Sequence, residues 1–143
     1  MEIVRSLTAD VAPHELFAHV DDIADYPAWM PLIHEVERLD GDTPAWTVEL
    51  RARVGPFARS KRLRMERTRL EQDRVAVFER READGREHSE WILRADLDVA
   101  ADGRTVLTMT LSYDGSLWAG PILERVLDDQ VRRGSDRLLA LVS

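Results

Sequence analysis

The chain has 143 residues, no cysteine and a formal net charge of −7, from 20 Lys and Arg against 27 Asp and Glu. That length predicts one domain spanning residues 1–143 and burying roughly 68–70% of its unfolded surface. The missing cysteines exclude disulfides, thiolate metal sites and cysteine nucleophiles, and the acidic balance disfavours nucleic acid, whose phosphates need a basic field.

Neither a charged and then apolar leader at Met1–Asp10 nor an apolar run of ~20 residues is present, so the sequence reads as a cytoplasmic protein. Glu2 to Thr8, with Ile3 and Val4, reads as a first strand. Pro13 suits the first position of a helix carrying Leu16, Phe17 and Val20 on one side. A second short helix is expected from Asp22 to Tyr26, where Pro27 pushes its predecessor out of helical geometry. Trp29 and Met30 then lie beside a helix break, either as the mouth or floor of an apolar cavity or as a plug at a core edge.

Ile33 to Leu39 reads as a strand, punctuated by Gly41-Asp42-Thr43-Pro44. From Trp46 the period is two: Trp46, Val48, Leu50, Ala52 and Val54 share a face opposite Thr47, Glu49, Arg51 and Arg53. After Gly55-Pro56, Arg59 to Leu70 sets Leu63 and Met65 against Arg62, Arg64 and Glu66, and the same parity turns Lys61 and Arg67 inward. Arg74 to Arg81 is a further strand, with Val75 and Val77 against Ala76 and Phe78 and no clear inner face. Asp84-Gly85 signals a hairpin. His88 to Val99 aligns Trp91, Leu93, Ala95 and Leu97, and Thr105 to Tyr113 aligns Leu107, Met109, Leu111 and Tyr113. Such spacing predicts a curved antiparallel sheet.

Gly120-Pro121 opens the last element, where Leu123, Leu127, Val131, Gly134, Leu138 and Leu141 recur every three or four residues. About 22 residues at ~1.5 Å each give a helix of roughly 33 Å, long enough to cross the sheet. Gly134 on that stripe reads either as close approach to the sheet, the favoured reading, or as room kept for something else.

This order of elements, together with the Ala12-Pro13 helix start, the VDDIADYPAWMP block from Val20 to Pro31, the Trp46 strand and the Gly120-Pro121 entry, resembles the START-like (SRPBCC) superfamily. Within it the likeness is to the polyketide cyclase/dehydrase and lipid-transport type and to Bet v 1-like proteins. The resemblance implies an α+β helix-grip fold, a curved antiparallel sheet wrapped around a long C-terminal helix, with two short helices after the first strand. It also implies a deep apolar cavity holding a lipid, polyketide, quinone or sterol-like molecule.

Catalytic patterns are sparse. His14, His19, His34 and His88 show no metal-ligand spacing, and the glycines form neither a phosphate loop nor a dinucleotide fingerprint, so no metal or cofactor is expected. His88 and Glu90 share a strand face opposite Trp91 and are expected in solvent. Polar groups turned inward are Lys61, Arg67, Tyr113 and, if Val75 and Val77 point in, Glu79; each has a structural alternative, since long cations snorkel and a tyrosine satisfies its hydroxyl on a carbonyl.

Three functions fit these residues. One is binding or carriage of a small hydrophobic ligand. Its wall is drawn from Trp29, Met30, Trp46, Val48, Leu50, Leu63 and Met65 in the first half, and Trp91, Leu93, Met109, Leu111, Tyr113, Trp118, Leu127 and Val131 in the second. Replacing Trp46 or Trp91 by Ala is expected to weaken that binding while the fold survives. The second is an aromatic polyketide cyclase/dehydrase that adds polar groups to the same wall. The third is an interaction module, monomer or homodimer, whose basic stretch from Arg51 to Arg74 meets an acidic partner or transiently a membrane surface. Those arginines equally suit solvated edge strands.

Overall fold

The computed structural model describes residues 1–114 and 121–143. Seven strands, β1 (Glu2–Ala9), β2 (Ile33–Arg38), β3 (Ala45–Val54), β4 (Phe57–Glu71), β5 (Val75–Arg80), β6 (Trp91–Val99) and β7 (Thr105–Tyr113), form one antiparallel sheet in the order β1-β7-β6-β5-β4-β3-β2. Helix α1 (Pro13–Phe17), a 3₁₀ helix (Ile23–Ala28) and the long α2 (Pro121–Val142) complete the chain. This is the helix-grip arrangement: a curved sheet, two short helices after the first strand, and one long helix packed against β1 and β3.

Curvature comes partly from two bulges. One falls between Ile33 and Glu35, the other between Arg67 and Arg69. A bulge inserts an unpaired residue and resets the alternation of faces. In β4 the inner row Leu63, Met65 and Arg67 ends at Thr68, so that Arg69, opposite Val77, turns outward. The sequence pattern carries no sign of this reset, because an arginine on either side of the extra residue reads as polar.

Pairing also settles β5, whose own alternation was ambiguous. Ala76 lies opposite Ala95 and Phe78 opposite Leu93, both on the inner row of β6. Ala76 and Phe78 are fully buried in the core, and Val75 and Val77 belong to the other face. Asp84-Gly85 does not close a tight hairpin. Residues 81–90 form an extended connection in which the Asp84 carboxylate accepts from the Arg86 amide at 3.0 Å and contacts His88 Nε2 at 2.9 Å. Strand β6 accordingly begins at Trp91 rather than at His88, and His88 and Glu90 are exposed.

The segment after α1 is fixed by buried polar contacts as well as by packing. The Tyr26 hydroxyl donates to the Val20 carbonyl at 2.9 Å, the Trp29 indole N–H donates to the His19 carbonyl at 3.1 Å, and the two rings lie 4.7 Å apart. Trp29 is therefore a core residue with its one donor satisfied.

Helix α2 buries Leu127, Val131, Gly134 and Leu138; Leu141, expected on that stripe, is 51% exposed, and the last turn packs on the core through Leu139 and Val142 instead. Gly134 is required by close approach: a Cβ there would meet Met30 Sδ at 3.0 Å, and Met30 Cα and the Trp29 carbonyl at 3.3 Å. Gly134→Ala gains about 1 kcal/mol of helix propensity and loses about 1–3 kcal/mol to overpacking. A lower thermal midpoint is expected, and a rise would mean that the Trp29–Met30 segment gives way freely.

Candidate ligand-binding site

Between sheet and α2 lies an apolar interior space walled by nine residues. Met30 and Leu32 come from the loop before β2, Ile33 from β2, Leu50 from β3, Met65 from β4, Trp91 and Leu93 from β6, Leu111 from β7, and Val131 from α2. The position is that of a grip, where concave sheet and helix face each other. Its volume, however, is about 10 Å³. That is at the lower limit for one water molecule, and an apolar void of this size stays dry. The deep open cavity implied by the superfamily resemblance is absent from the described residues, because side chains fill it.

Seven of the residues expected to form a ligand wall meet at this space: Met30, Leu50, Met65, Trp91, Leu93, Leu111 and Val131. Trp29, Trp46, Val48, Leu63, Met109, Tyr113 and Leu127 are buried in the surrounding core without lining it. Trp118 lies outside the described residues. Leu32 and Ile33 line the space although the sequence reading passed over them; their signal was two apolar residues directly after Pro31, where the chain turns from loop into strand.

The inward-facing polar candidates do not converge. Lys61 and Arg67 are six residues apart on β4, about 20 Å at ~3.3 Å per residue, so one carbonyl could not meet both. Arg67 donates to the Asp21 carbonyl at 2.8 Å, and its guanidinium lies 5.8 Å from the Trp46 ring centre. It ties β4 to the chain after α1. Burial, then the neighbouring Asp22, pushes the Asp21 carboxyl up, and Arg67 acts against both.

Glu79 is a correction. With Ala76 and Phe78 inside, Glu79 stands on the outer face beside Arg81 at 3.7 Å. Tyr113 is buried and stacks on Trp91, ring centres 5.2 Å apart at 23°; burial, then Glu124, raises its hydroxyl above the ordinary value.

Lys61 sits half-buried at the rim and donates to Ser89 Oγ at 3.3 Å. Burial first, and then Arg80, lowers its ammonium below the usual lysine range. Arg80, which sequence reading did not single out, shares Ser89: its Nη1 donates to Ser89 Oγ at 3.0 Å while its Nε donates to Glu82 at 2.9 Å. Neither Lys61 nor Arg80 lines the apolar space.

One metal-capable group was also invisible in the sequence. The β2 bulge sets His34 and Glu35 against Glu49, and their ligand atoms lie within 4.8 Å of one another. Arg51 reaches His34 at 3.4 Å and Arg62 reaches Glu49 at 3.6 Å, so cations of the chain itself already face this exposed group.

A curved sheet gripping one long helix around an apolar interior defines a START-like helix-grip protein. The chain belongs to the polyketide cyclase/dehydrase and lipid transport family, whose model matches residues 1–142. Solved structures agree on the fold. A START superfamily protein from Mycobacterium smegmatis superposes with a TM-score of 0.72 at 14% identity, covering 99% of this chain and 96% of that one. The Zhui aromatase/cyclase from Streptomyces sp. R1128 gives 0.65 at 15% identity, covering 99% and 93%. Ara h 8.0201 gives 0.64 at 14% identity, covering 99% and 97%. No curated protein sequence matches this one. Family and fold together support a ligand-binding or polyketide cyclase-type role.

Proposed function

We propose that this protein binds and carries a small hydrophobic ligand between its sheet and α2, and that binding opens a space which is nearly closed at rest. The observation that carries this reading is the composition of the interior wall: all nine lining residues are apolar, and no ionisable group is among them. A cyclase has to polarise a carbonyl or move a proton at the substrate, which needs a donor in hydrogen-bond reach. A carrier needs only apolar area.

Opening falls to Met30 and Met65, which enter the wall from the loop before β2 and from β4. Methionine is unbranched with three rotatable bonds, so it fills a gap at rest and re-packs around an occupant at small cost. Buried apolar area then drives the exchange, at about 25 cal/mol per Å² removed from water.

Mass spectrometry of the freshly purified protein under native and then denaturing conditions tests the reading. A reproducible co-purified lipid, quinone or polyketide-sized molecule supports it. Its absence, together with no thermal stabilisation by a panel of such ligands, overturns it. Ligand at one hundred times its Kd raises stability by about 2.7 kcal/mol.

The cyclase reading rests on one polar group, the rim lysine. Lys61→Met separates the two: a carrier keeps its ligand-induced stabilisation unchanged, whereas a cyclase that uses this ammonium loses turnover while still binding.

A further inference from the structure

The outer part of the β3–β4 hairpin leaves the sheet. Leu50, opposite Ile33, is the last β3 residue paired with β2, and Met65, opposite Arg80, is the first β4 residue paired with β5. Beyond them β3 and β4 pair with each other as far as Val54 opposite Phe57, and residues 52–63 form a two-stranded ribbon. Ribbons of this kind are marginal in water, and although Ala52 and Leu63 root this one in the core, its outer end invites a reason. Its tip is Gly55-Pro56, with Gly55 at φ +62 closing the turn. Phe57 beside it is 71% exposed, more than any other large apolar residue described.

Charge on the ribbon is one-sided in sign. Residues 52–63 hold Arg53, Arg59, Lys61 and Arg62 with no Asp or Glu, a local charge of +4 in a chain of −7, so the remainder carries −11; Arg62 faces Glu49 at 3.6 Å. Register distributes these cations over both faces. Arg53 stands opposite Ala58 on one face, while Arg59 opposite Ala52 and Lys61 opposite Leu50 occupy the other.

We propose that this tip docks on an anionic lipid surface, with Phe57 entering the boundary between headgroups and acyl chains and the arginines of both faces meeting lipid phosphates. A flat acidic protein patch would engage one face of the ribbon and leave the other cations unused. A fluid anionic surface closes around a tip with an exposed arginine on each face, Arg53 on one and Arg59 on the other. One apolar anchor holds a membrane only marginally, and an anchor combined with a polybasic patch holds it well. The ribbon supplies both. The tip lies outside the interior ligand space, so its docking needs no bound ligand.

Co-sedimentation of the intact protein with vesicles tests it, using phosphatidylcholine alone and phosphatidylcholine with one-third phosphatidylglycerol. Retention is expected on the anionic vesicles only, released by added salt. Arg53→Glu should weaken it at least about fivefold, the contribution of one cation near a charged surface, and Phe57→Ser should also weaken it by removing the apolar anchor. Both sites are exposed, so thermal midpoints should stay where they are. Arg104→Glu, at the β6–β7 turn on the opposite end of the sheet, makes the same change in net charge and should leave retention within twofold.

Equal retention on neutral vesicles, no retention on either, or equal loss with Arg104→Glu overturns the proposal. Capture of the ribbon by soluble polyglutamate without vesicle binding would also overturn it, in favour of an acidic protein partner.

Discussion

Trp46→Ala is expected to cost about 3–5 kcal/mol of stability, the range for deleting a large aromatic from a packed core, and to lower the thermal midpoint by about 10 °C. Trp46 is 3% exposed, meets Phe78 edge-on at 5.6 Å, and lies under two guanidinium groups, Arg38 at 5.0 Å and Arg67 at 5.8 Å. Each cation over the ring adds about 0.5–1 kcal/mol that alanine also forfeits. Trp46 does not line the interior space, so the folded variant should bind an apolar probe such as aminoanthracene as the wild type does. Thermal denaturation paired with a probe titration checks both halves. A variant of unchanged midpoint and lost binding would mean that Trp46 faces a ligand after all.

Trp91→Ala should be nearly as costly to the fold, about 3–5 kcal/mol, yet should tighten binding rather than leave it unchanged. Trp91 is 2% exposed, stacks on Tyr113 and forms part of the interior wall. With an open cavity, removing this wall would weaken binding, as the sequence alone leads one to expect. The space here is about 10 Å³, so ligand entry must first displace side chains. Truncation does part of that work in advance and leaves a void on the order of 150 Å³, a size that stays dry and takes up aromatic guests. Apparent affinity is the intrinsic affinity scaled by the competent fraction. Aminoanthracene should therefore bind Trp91→Ala at least tenfold more tightly than wild type. Weaker binding would argue that the indole itself grips the ligand; a void closed by Tyr113 would show as no gain together with a smaller stability loss.

The comparison between the two tryptophans shows where sequence reading stops. Alternation marks both Trp46 and Trp91 as inward, and both are. Which of them lines the central space depends on where along its strand each sits: β3 reaches the space at Leu50, four residues beyond Trp46, whereas β6 reaches it at Trp91 itself. No spacing within one strand shows which of its inward residues meets the others there.

The seven strands, the short helices after β1 and the length of α2 were legible because each is governed by local rules: alternation for half-buried strands, Gly and Pro at breaks, and a stripe of apolar residues at three and four for the helix. Gly134 was legible in part: close packing on the buried stripe was the favoured reading, but its partner is the Trp29–Met30 segment and not the sheet. These are properties of neighbours along the chain.

Tertiary structure decided what depends on neighbours across it. The inner face of β5 followed from Ala76 meeting Ala95, which turned Glu79 outward and out of any interior role. Two bulges reset the faces of β2 and β4, grouping His34, Glu35 and Glu49 and turning Arg69 out, and a bulge is a mismatch in length between strands that neither strand records alone. Whether the grip encloses a cavity or a packed core was decided last. It rests on the volumes of nine side chains from seven segments meeting at one point, and the pattern of polar and apolar residues is the same whether those volumes fill the space or leave it open.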